Sequence, residues 1–510
     1  MKLVSLLLQP VADAAHRPAI ICPRGSYSRQ EVVAATARVV TQLRDAGVRR
    51  GQRVLAILDH DERALFFLSA ASALGLRLLM PYNLQDAALR EWVNIVETAR
   101  PDHVVYFKRG VGQLSGLAEA GAPLINLAHH EYKDLEAKTS PIVIDALEPV
   151  PGFLVLFTSG TTGKPKAISI SEALIGKRIQ SVSTKLKFGA ESRVFLSGLM
   201  NNTTGIIFSF GAVLHGSTLI IPEGRDVKSW PRQVDRTRST HIMLRPVAMK
   251  QFIEAAQNDH SDLTSLEVVA YGAASMPRAL LEEGRKLMGR EWIQGYGLSE
   301  TFGPFCWMTE EDHRADLYKR FCYCIGKPDN TVEVSVAVSE SDQSQIGEVM
   351  VRGDGLMEGY YDVTTDRVEP VDRWLRTGDY GEFTACGQLV LKGRIANTIL
   401  SENGHRIYPE EVESVLANVP GVTEAVLLGV PVEGAPASRP VACLHGPLST
   451  RPRAEVKTTI TEALGRVLSR EKWPDWISVS SAPFPKSAND KVLKTTVAER
   501  IKATELIQLQ

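Results

Sequence analysis

Polar and apolar positions switch repeatedly between helical and strand periods through the first hundred residues. Ser28-x-x-Glu31 has the spacing of a capping box, and Val32, Thr36, Val39 and Leu43 then recur at helical intervals until Gly47. Val54 to Leu58 is a short apolar run of strand type. Helical spacing returns from about Glu62 to Leu74 and stops at Gly75, and Leu76 to Met80 reads as the next strand. A third helix is expected over Ala87 to Ala99, followed by a strand over Val104 to Phe107. Strands separated by helices of this length predict βαβ units and an α/β fold of doubly wound, mostly parallel sheets.

The pattern changes further along. Gly198 to Pro222 is uncharged but broken by four glycines and two asparagines, which reads as buried strands and a pocket wall rather than a membrane span. From about residue 330 to 392 short strands and Gly turns take over, as in Val332 to Val338, Gly347 to Arg352 and Gln388 to Lys392. Helical spacing resumes after Gly393-Arg394. Pro409 stands at a helix start with Val412, Val415, Leu416 and Val419 on one face, and Val456, Ile460, Leu464, Val467 and Leu468 mark another helix. The expected organisation is a large N-terminal region, residues 1–393, with a small β-subdomain, followed by a small α+β domain over 394–510.

Composition narrows the class. With 58 Lys+Arg against 59 Asp+Glu, the formal charge of −1 gives no basis for binding nucleic acid or an acidic membrane surface. Six scattered cysteines, Cys22, Cys306, Cys322, Cys324, Cys386 and Cys443, do not make a disulfide scaffold or a metal cage, which suggests a reducing, cytoplasmic setting. Leu3 to Leu8 after Met1-Lys2 resembles the start of a signal peptide. The run is short, however, and Asp13, His16 and Arg17 follow where a cleavage region should be. A soluble enzyme is the expectation, and nothing in charge or periodicity marks an oligomer interface.

One segment carries distinctive chemistry. Thr158-Ser159-Gly160-Thr161-Thr162-Gly163-Lys164-Pro165-Lys166 lies between two buried apolar strands. Its glycines let successive N–H groups converge on one point, its hydroxyls donate, and Lys164 and Lys166 add positive charge, a combination suited to a polyphosphate with Mg²⁺. It is not a Walker A loop, because Lys164 is followed by Pro165 and position 158 is not Gly.

With this segment the sequence resembles the superfamily of ATP-dependent adenylate-forming enzymes, which includes acyl- and aryl-CoA synthetases, peptide-synthetase adenylation domains and beetle luciferases. Gln294-Gly295-Tyr296-Gly297-Leu298-Ser299-Glu300 is similar to that family's Tyr-Gly-x-Thr/Ser-Glu motif. Gly347 to Gly353, Trp374-x-x-Thr377-Gly378-Asp379, Gly393-Arg394 and Pro485-Lys486…Lys491 follow in the family's order. The resemblance implies ATP, Mg²⁺ and CoA as reactants or cofactors and a C-terminal domain that moves. It also implies roles: Glu300 as Mg²⁺ ligand, and Tyr296 with Gly272-Ala273-Ala274 around adenine. Asp379 would accept from the ribose hydroxyls with Arg394 assisting, and Lys491 would stabilise charge developing at the α-phosphate.

Departures from the family pattern cluster late in the chain. Ala396 and Asn397 replace the usual acidic or lysine residues after Arg394, one extra residue separates Arg394 from Gly404, and Asn489-Asp490 precede Lys491. The adenylation half-reaction is thus better supported than transfer to CoA. In the acid pocket, Asn201, Asn202 and Thr203 form a polar run where relatives often carry His or an aromatic residue. No acidic residue occurs from Ser197 to Gly205 to anchor an α-amino group. A small, aromatic or hydroxylated carboxylic acid is expected, with Tyr271, Phe302 and Phe305 as pocket walls and strand or helix capping as the plainer role for Asn202.

Three functions remain open at this point: a CoA ligase, an adenylating enzyme that passes the acyl group to a carrier-protein thiol, an amine or another nucleophile, and a nucleotide-binding regulator without catalysis. The intact set Glu300, Asp379, Arg394 and Lys491 argues against the last. A hydride-transfer enzyme is disfavoured because no strand leads into Gly-x-Gly-x-x-Gly.

Overall fold

A computed structural model describes the chain except residues 10–16, 82–95, 108–120, 128–131, 133–141, 143, 146, 159–165, 316–323, 339–344, 372, 402–404, 432–437, 487–491, 502–505 and 510. Two large mixed sheets dominate it. In chain numbering, the first orders its strands 327–328, 303–308, 291–298, 268–272, 241–244, 193–195, 218–220, 20–22 and 25–27. The second orders them 367–369, 359–362, 166–170, 154–158, 77–80, 53–57, 103–106 and 124–126. The first sheet has a parallel centre with antiparallel strands at both edges, whereas the second is parallel from 154–158 out to the edge strand 124–126 and antiparallel from 154–158 out to 367–369.

Local signals decide the early elements. Helix Arg29–Asp45 opens on the Ser28/Glu31 capping box, and helix Glu62–Leu74 opens on Asp61 and closes on Gly75 at φ 68°. Of the expected helix over 87–99, residues up to 95 lie outside the described residues and 96–99 are helical. Met1 to Leu8 is a core element: in helix Leu3–Leu8, Leu3, Val4, Leu6 and Leu7 are buried. Lys2 is buried with them, its ammonium 3.2 Å from the buried Glu172 carboxylate.

Two expectations are corrected. Gly198 to Pro222 is not a set of strands: helix Thr203–His215 fills most of it and only Thr218–Ile220 is extended. Asn202 caps that helix by accepting from the Gly205 N–H at 3.0 Å, and Gly216 ends it at φ 68°. The internal glycines serve close packing. A Cβ on Gly205 would fall 2.0 Å from the Leu199 carbonyl oxygen, and one on Gly211 would fall 2.9 Å from Ser183 Cβ on helix Glu172–Lys185. Val467 likewise falls past the end of helix Arg453–Gly465 and is exposed.

The strands after residue 330 form a four-stranded antiparallel sheet ordered 333–337, 347–352, 375–383 and 389–394. Beyond it, residues 424–431, 438–445, 476–480 and 507–508 form another four-stranded sheet. Its packed face, with helices Pro409–Ala417 and Arg453–Gly465, makes a core drawn only from residues 399 to 509.

Candidate active site

Strand Leu154–Thr158 and strand Lys166–Ile170 pair antiparallel, with Thr158 opposite Lys166. The connecting residues Ser159, Gly160, Thr161, Thr162, Gly163 and Lys164 lie outside the described residues. The hairpin nevertheless fixes where the loop begins and ends. Strand Gly359–Asp362 pairs on its far side, Tyr360 opposite Ile168, and the Lys166 ammonium sits 5.1 Å from the centre of the Tyr360 ring. Loss of solvent pushes the Tyr360 phenol up, and the Glu300 charge adds to it. The Glu300 carbonyl is tied by the Met357 N–H at 2.7 Å.

Strand Val268–Gly272 ends at the second part of the site. A Cβ on Gly272 would lie 2.2 Å from the Gly295 carbonyl oxygen, so only glycine allows this approach. Ala273 continues at φ 64°, a left-handed conformation that a non-glycine residue adopts at some cost. Ala273 and Ala274 are exposed, leaving backbone open beside Tyr296. Strand Glu291–Leu298 supplies Gln294, Gly295, Tyr296 and Gly297, then turns through Ser299 and Glu300 into strand Gly303–Met308. A Cβ on Gly297 would fall 2.1 Å from the Gly303 carbonyl oxygen, which keeps this hairpin tight.

Tyr296 is also joined to the third part. Its hydroxyl donates to Asp379 Oδ2 at 2.6 Å, and Arg394 Nε lies 3.0 Å from Asp379 Oδ1. Asp379 and Arg394 face each other across the paired strands Leu375–Phe383 and Leu389–Arg394. Asp379 is therefore a strand residue. The turn-like feature there is Gly378, at φ 73°.

Thr377, which the sequence offered only as a motif letter, organises the group. Its hydroxyl donates to the Val349 carbonyl at 2.8 Å and accepts from the Asp379 N–H at 3.1 Å, while its carbonyl accepts from Arg394 at 3.0 Å. Burial pushes the Asp379 carboxyl above the usual range, the Glu410 and Glu300 charges add to this, and Arg394 and the Tyr296 hydrogen bond oppose it. Loss of solvent, and secondarily the Asp379 charge, push the Tyr296 phenol well up.

The pocket candidates separate. Phe302 and Phe305 are fully buried, and Phe305 meets the Tyr296 ring edge-on at 5.2 Å. Tyr271 lies in the other layer with Trp292, its hydroxyl 3.2 Å from Gln294 Oε1 and 2.8 Å from His313 Nε2, so the structure does not place it beside Phe302. Asn201 is buried, Asn202 is occupied as a helix cap and Thr203 begins that helix. Lys491 lies outside the described residues.

The described residues fit a Mg²⁺ carried in by phosphates. No three His, Cys, Asp or Glu side chains gather among them to cage a metal, and the charge of one carboxylate, Glu300, is felt both at Tyr360 beside the Thr158–Lys166 hairpin and at Asp379. Mg²⁺ commonly keeps waters and substrate oxygens and takes only one or two carboxylates.

A family model described as AMP-binding enzyme matches residues 8–361. The chain belongs to that family. It is an AMP-forming ligase of the acyl-CoA synthetase type. A 2-succinylbenzoate–CoA ligase of Oceanobacillus iheyensis is 26% identical, over 72% of this chain and 75% of its own. The long-chain-fatty-acid–CoA ligase FadD13 of Mycobacterium tuberculosis is 29% identical over 94% of each.

Solved structures share the AMP-binding fold. An anthranilate CoA ligase, AuaEII, with anthranoyl-AMP has a TM-score of 0.83 at 20% identity, covering 99% of this chain and 98% of that one. The amide bond synthetase McbA of Marinactinospora thermotolerans has a TM-score of 0.81 at 22% identity and 98% coverage of both chains. No helix among the described residues is long and apolar enough to cross a membrane.

Proposed function

We propose that the protein converts a small aromatic or hydroxylated carboxylic acid into its CoA thioester, with residues 1–393 binding ATP and acid and residues 394–510 delivering Lys491. The observation that carries this reading is the Tyr296–Asp379–Arg394 group, in which two donors hold the two oxygens of one carboxylate. Asp379 accepts from the ribose hydroxyls, Tyr296 and the Gly272–Ala274 backbone border adenine, and the hairpin starting at Thr158 and ending at Lys166 takes the phosphates.

The acid carboxylate attacks the α-phosphorus, a P–O bond forms, and the bond to pyrophosphate breaks. Glu300 would hold Mg²⁺ on the protein side, where the ion would neutralise phosphate charge. Lys491 offsets the negative charge that builds around phosphorus. In the second half, the thiol gives up its proton, sulfur attacks the acyl carbon, and AMP leaves with its oxygen. The polar run at Asn201 to Thr203 and the fully buried Phe302 and Phe305 support a compact acid over a long chain.

A carrier-protein thiol or an amine is the alternative acceptor. The segment after Arg394 favours weighing it: Asn397, a departure from the family pattern, donates to Glu410 Oε1 at 2.9 Å within residues 394–510.

Pyrophosphate, AMP and thioester should be measured with a panel of acids, with and without CoA. Thioester that requires ATP, acid and CoA together is expected, and Lys491→Ala should lose adenylate formation. Adenylate without any CoA thioester would replace CoA by another acceptor. Unchanged adenylation in Lys491→Ala would overturn the assignment of that lysine.

A further inference from the structure

We infer that Glu413 and Lys494 are positioning residues for adenylation, their ion pair tying the limb that leaves Lys491 to the helix beside Gly393 and Arg394. This rests on the role proposed above for Lys491 at the α-phosphate.

Residues 487–491 connect two limbs that pair with each other. Lys486 bridges Val492 antiparallel, and the Leu493 N–H donates to the Pro485 carbonyl at 2.8 Å. The incoming limb is pinned to the start of strand Glu424–Pro431. There the Phe484 N–H donates to Glu424 Oε2 at 3.0 Å, and the Lys486 ammonium lies 2.8 Å from Glu424 Oε1. The outgoing limb is pinned to a different element. The Lys494 ammonium donates to Glu413 Oε1 at 3.0 Å, and that oxygen also accepts from the Leu427 N–H at 2.8 Å. Lys494 follows Lys491 by three residues, so fixing one limits how far the other can stray.

The anchor lies on an element next to the candidate nucleotide site. Glu413 belongs to helix Pro409–Ala417, about one turn after Glu410. A Cβ on Gly393 would fall 2.2 Å from Glu410 Oε2, and Gly393 precedes Arg394, which holds Asp379. The Glu410 charge is felt at Asp379 itself. One helix therefore abuts the strand that ends in Arg394 and grips the limb that leaves Lys491. A lysine acting at the α-phosphorus has to arrive in one place, and restraint of the chain beside it reduces the freedom lost on arrival.

Local stability gives little reason for the pair. Lys494 is the first residue of helix Lys494–Glu499, where a cation opposes the helix dipole. Loss of solvent makes the Glu413 charge costly, and Lys494 with the Leu427 amide offsets that cost without a large surplus. Charges kept under these conditions, three positions from Lys491, suit orientation better than folding.

The test measures pyrophosphate release from ATP with benzoic, hydroxybenzoic and short alkanoic acids in the full-length enzyme. Lys494→Met is expected to lower kcat roughly ten- to hundred-fold, while KM for ATP stays within about two-fold. Glu413→Gln should lower kcat in the same direction, and Lys494→Arg should recover most of the rate. Lys472→Met is the matched control. Lys472 pairs with Glu411 on the same helix at 2.8 Å, and the Lys472 and Lys494 side chains are 32% and 33% exposed. That control should keep kcat within about two-fold of the wild type. In a Lys491→Ala background, Lys494→Met should add no further loss, because it acts through that lysine. Equal losses in Lys494→Met and Lys472→Met, losses that add to Lys491→Ala, or an unchanged kcat in Lys494→Met would each overturn the inference. An unchanged kcat in Lys491→Ala, or no pyrophosphate with any acid, would instead remove the adenylation role on which it rests.

Discussion

The Tyr296 hydroxyl holds one oxygen of Asp379 at 2.6 Å while Arg394 holds the other at 3.0 Å. The carboxylate is thus oriented from both sides before any ribose arrives. Each oxygen keeps a second lone pair for a sugar hydroxyl. Orientation and desolvation come together, and the second makes the ionised form costly.

That cost predicts a pH dependence. Asp379 has its pKa raised by burial and by Glu410 and Glu300, and in the proposed role it would accept from the ribose only when ionised. ATP affinity should fall with pH through a midpoint above the ordinary carboxylate range. Tyr296→Phe removes a bond that favours the charged form, so its midpoint should move higher. AMP titration calorimetry from about pH 8 to about pH 5 reads this directly. Coincident profiles for the wild type and Tyr296→Phe would contradict it. For stability the sign is opposite to that of a paired carboxylate. A raised folded-state pKa adds stability below the unfolded value, lost as pH rises through the folded value. Asp379→Asn should therefore melt no lower than the wild type near neutral pH while binding nucleotide poorly.

Gly393 predicts a steric effect where strand Leu389–Arg394 meets helix Pro409–Ala417. It sits at φ 149°, and a Cβ would fall 2.2 Å from Glu410 Oε2. Gly393→Ala should cost about 1–3 kcal/mol or push helix Pro409–Ala417 away. Urea unfolding and turnover should both register the change, and adding Glu410→Ala should restore part of the loss. An alanine variant indistinguishable from the wild type in both measurements would show that the two residues do not meet.

Glu172 predicts a stability effect far from the chemistry. Its Oε1 accepts from the Leu3 N–H at 2.8 Å and from the Ser72 hydroxyl; its Oε2 accepts from Val150 N–H at 3.0 Å and Lys2 at 3.2 Å. Removing the carboxylate strands a buried ammonium and two amide donors, so Glu172→Ala should lose about 3–5 kcal/mol in denaturant unfolding. Lys2→Met should lose less, since the carboxylate keeps its other donors. A loss below about 1 kcal/mol for Glu172→Ala would mean that water already reaches the site.

Local grammar explains why much of the fold was readable. Ser28 with Glu31 opens one helix, and Gly75 closes another at a left-handed residue, because these groups satisfy backbone atoms within a few positions. The same grammar was available at Asn202 and Gly216 and was outweighed by the interior glycines. Those glycines answer to packing, not to local propensity: Gly211 lets helix Thr203–His215 lie against Ser183. A residue chosen for a contact across the fold carries a misleading local signal.

The site divides in the same way. Motif order along the chain pointed to the family and to the residues proposed to bind nucleotide, Asp379 and Glu300 among them, since each motif's chemistry is carried by its own residue types. Only the tertiary structure decided that Tyr296 reaches Asp379, that Thr377 ties strand to strand, and that Tyr271 packs in the opposite layer from Phe302. Those facts depend on sheet register and on which face a side chain takes. Register is set by strands dozens of residues apart, so no stretch of sequence contains it.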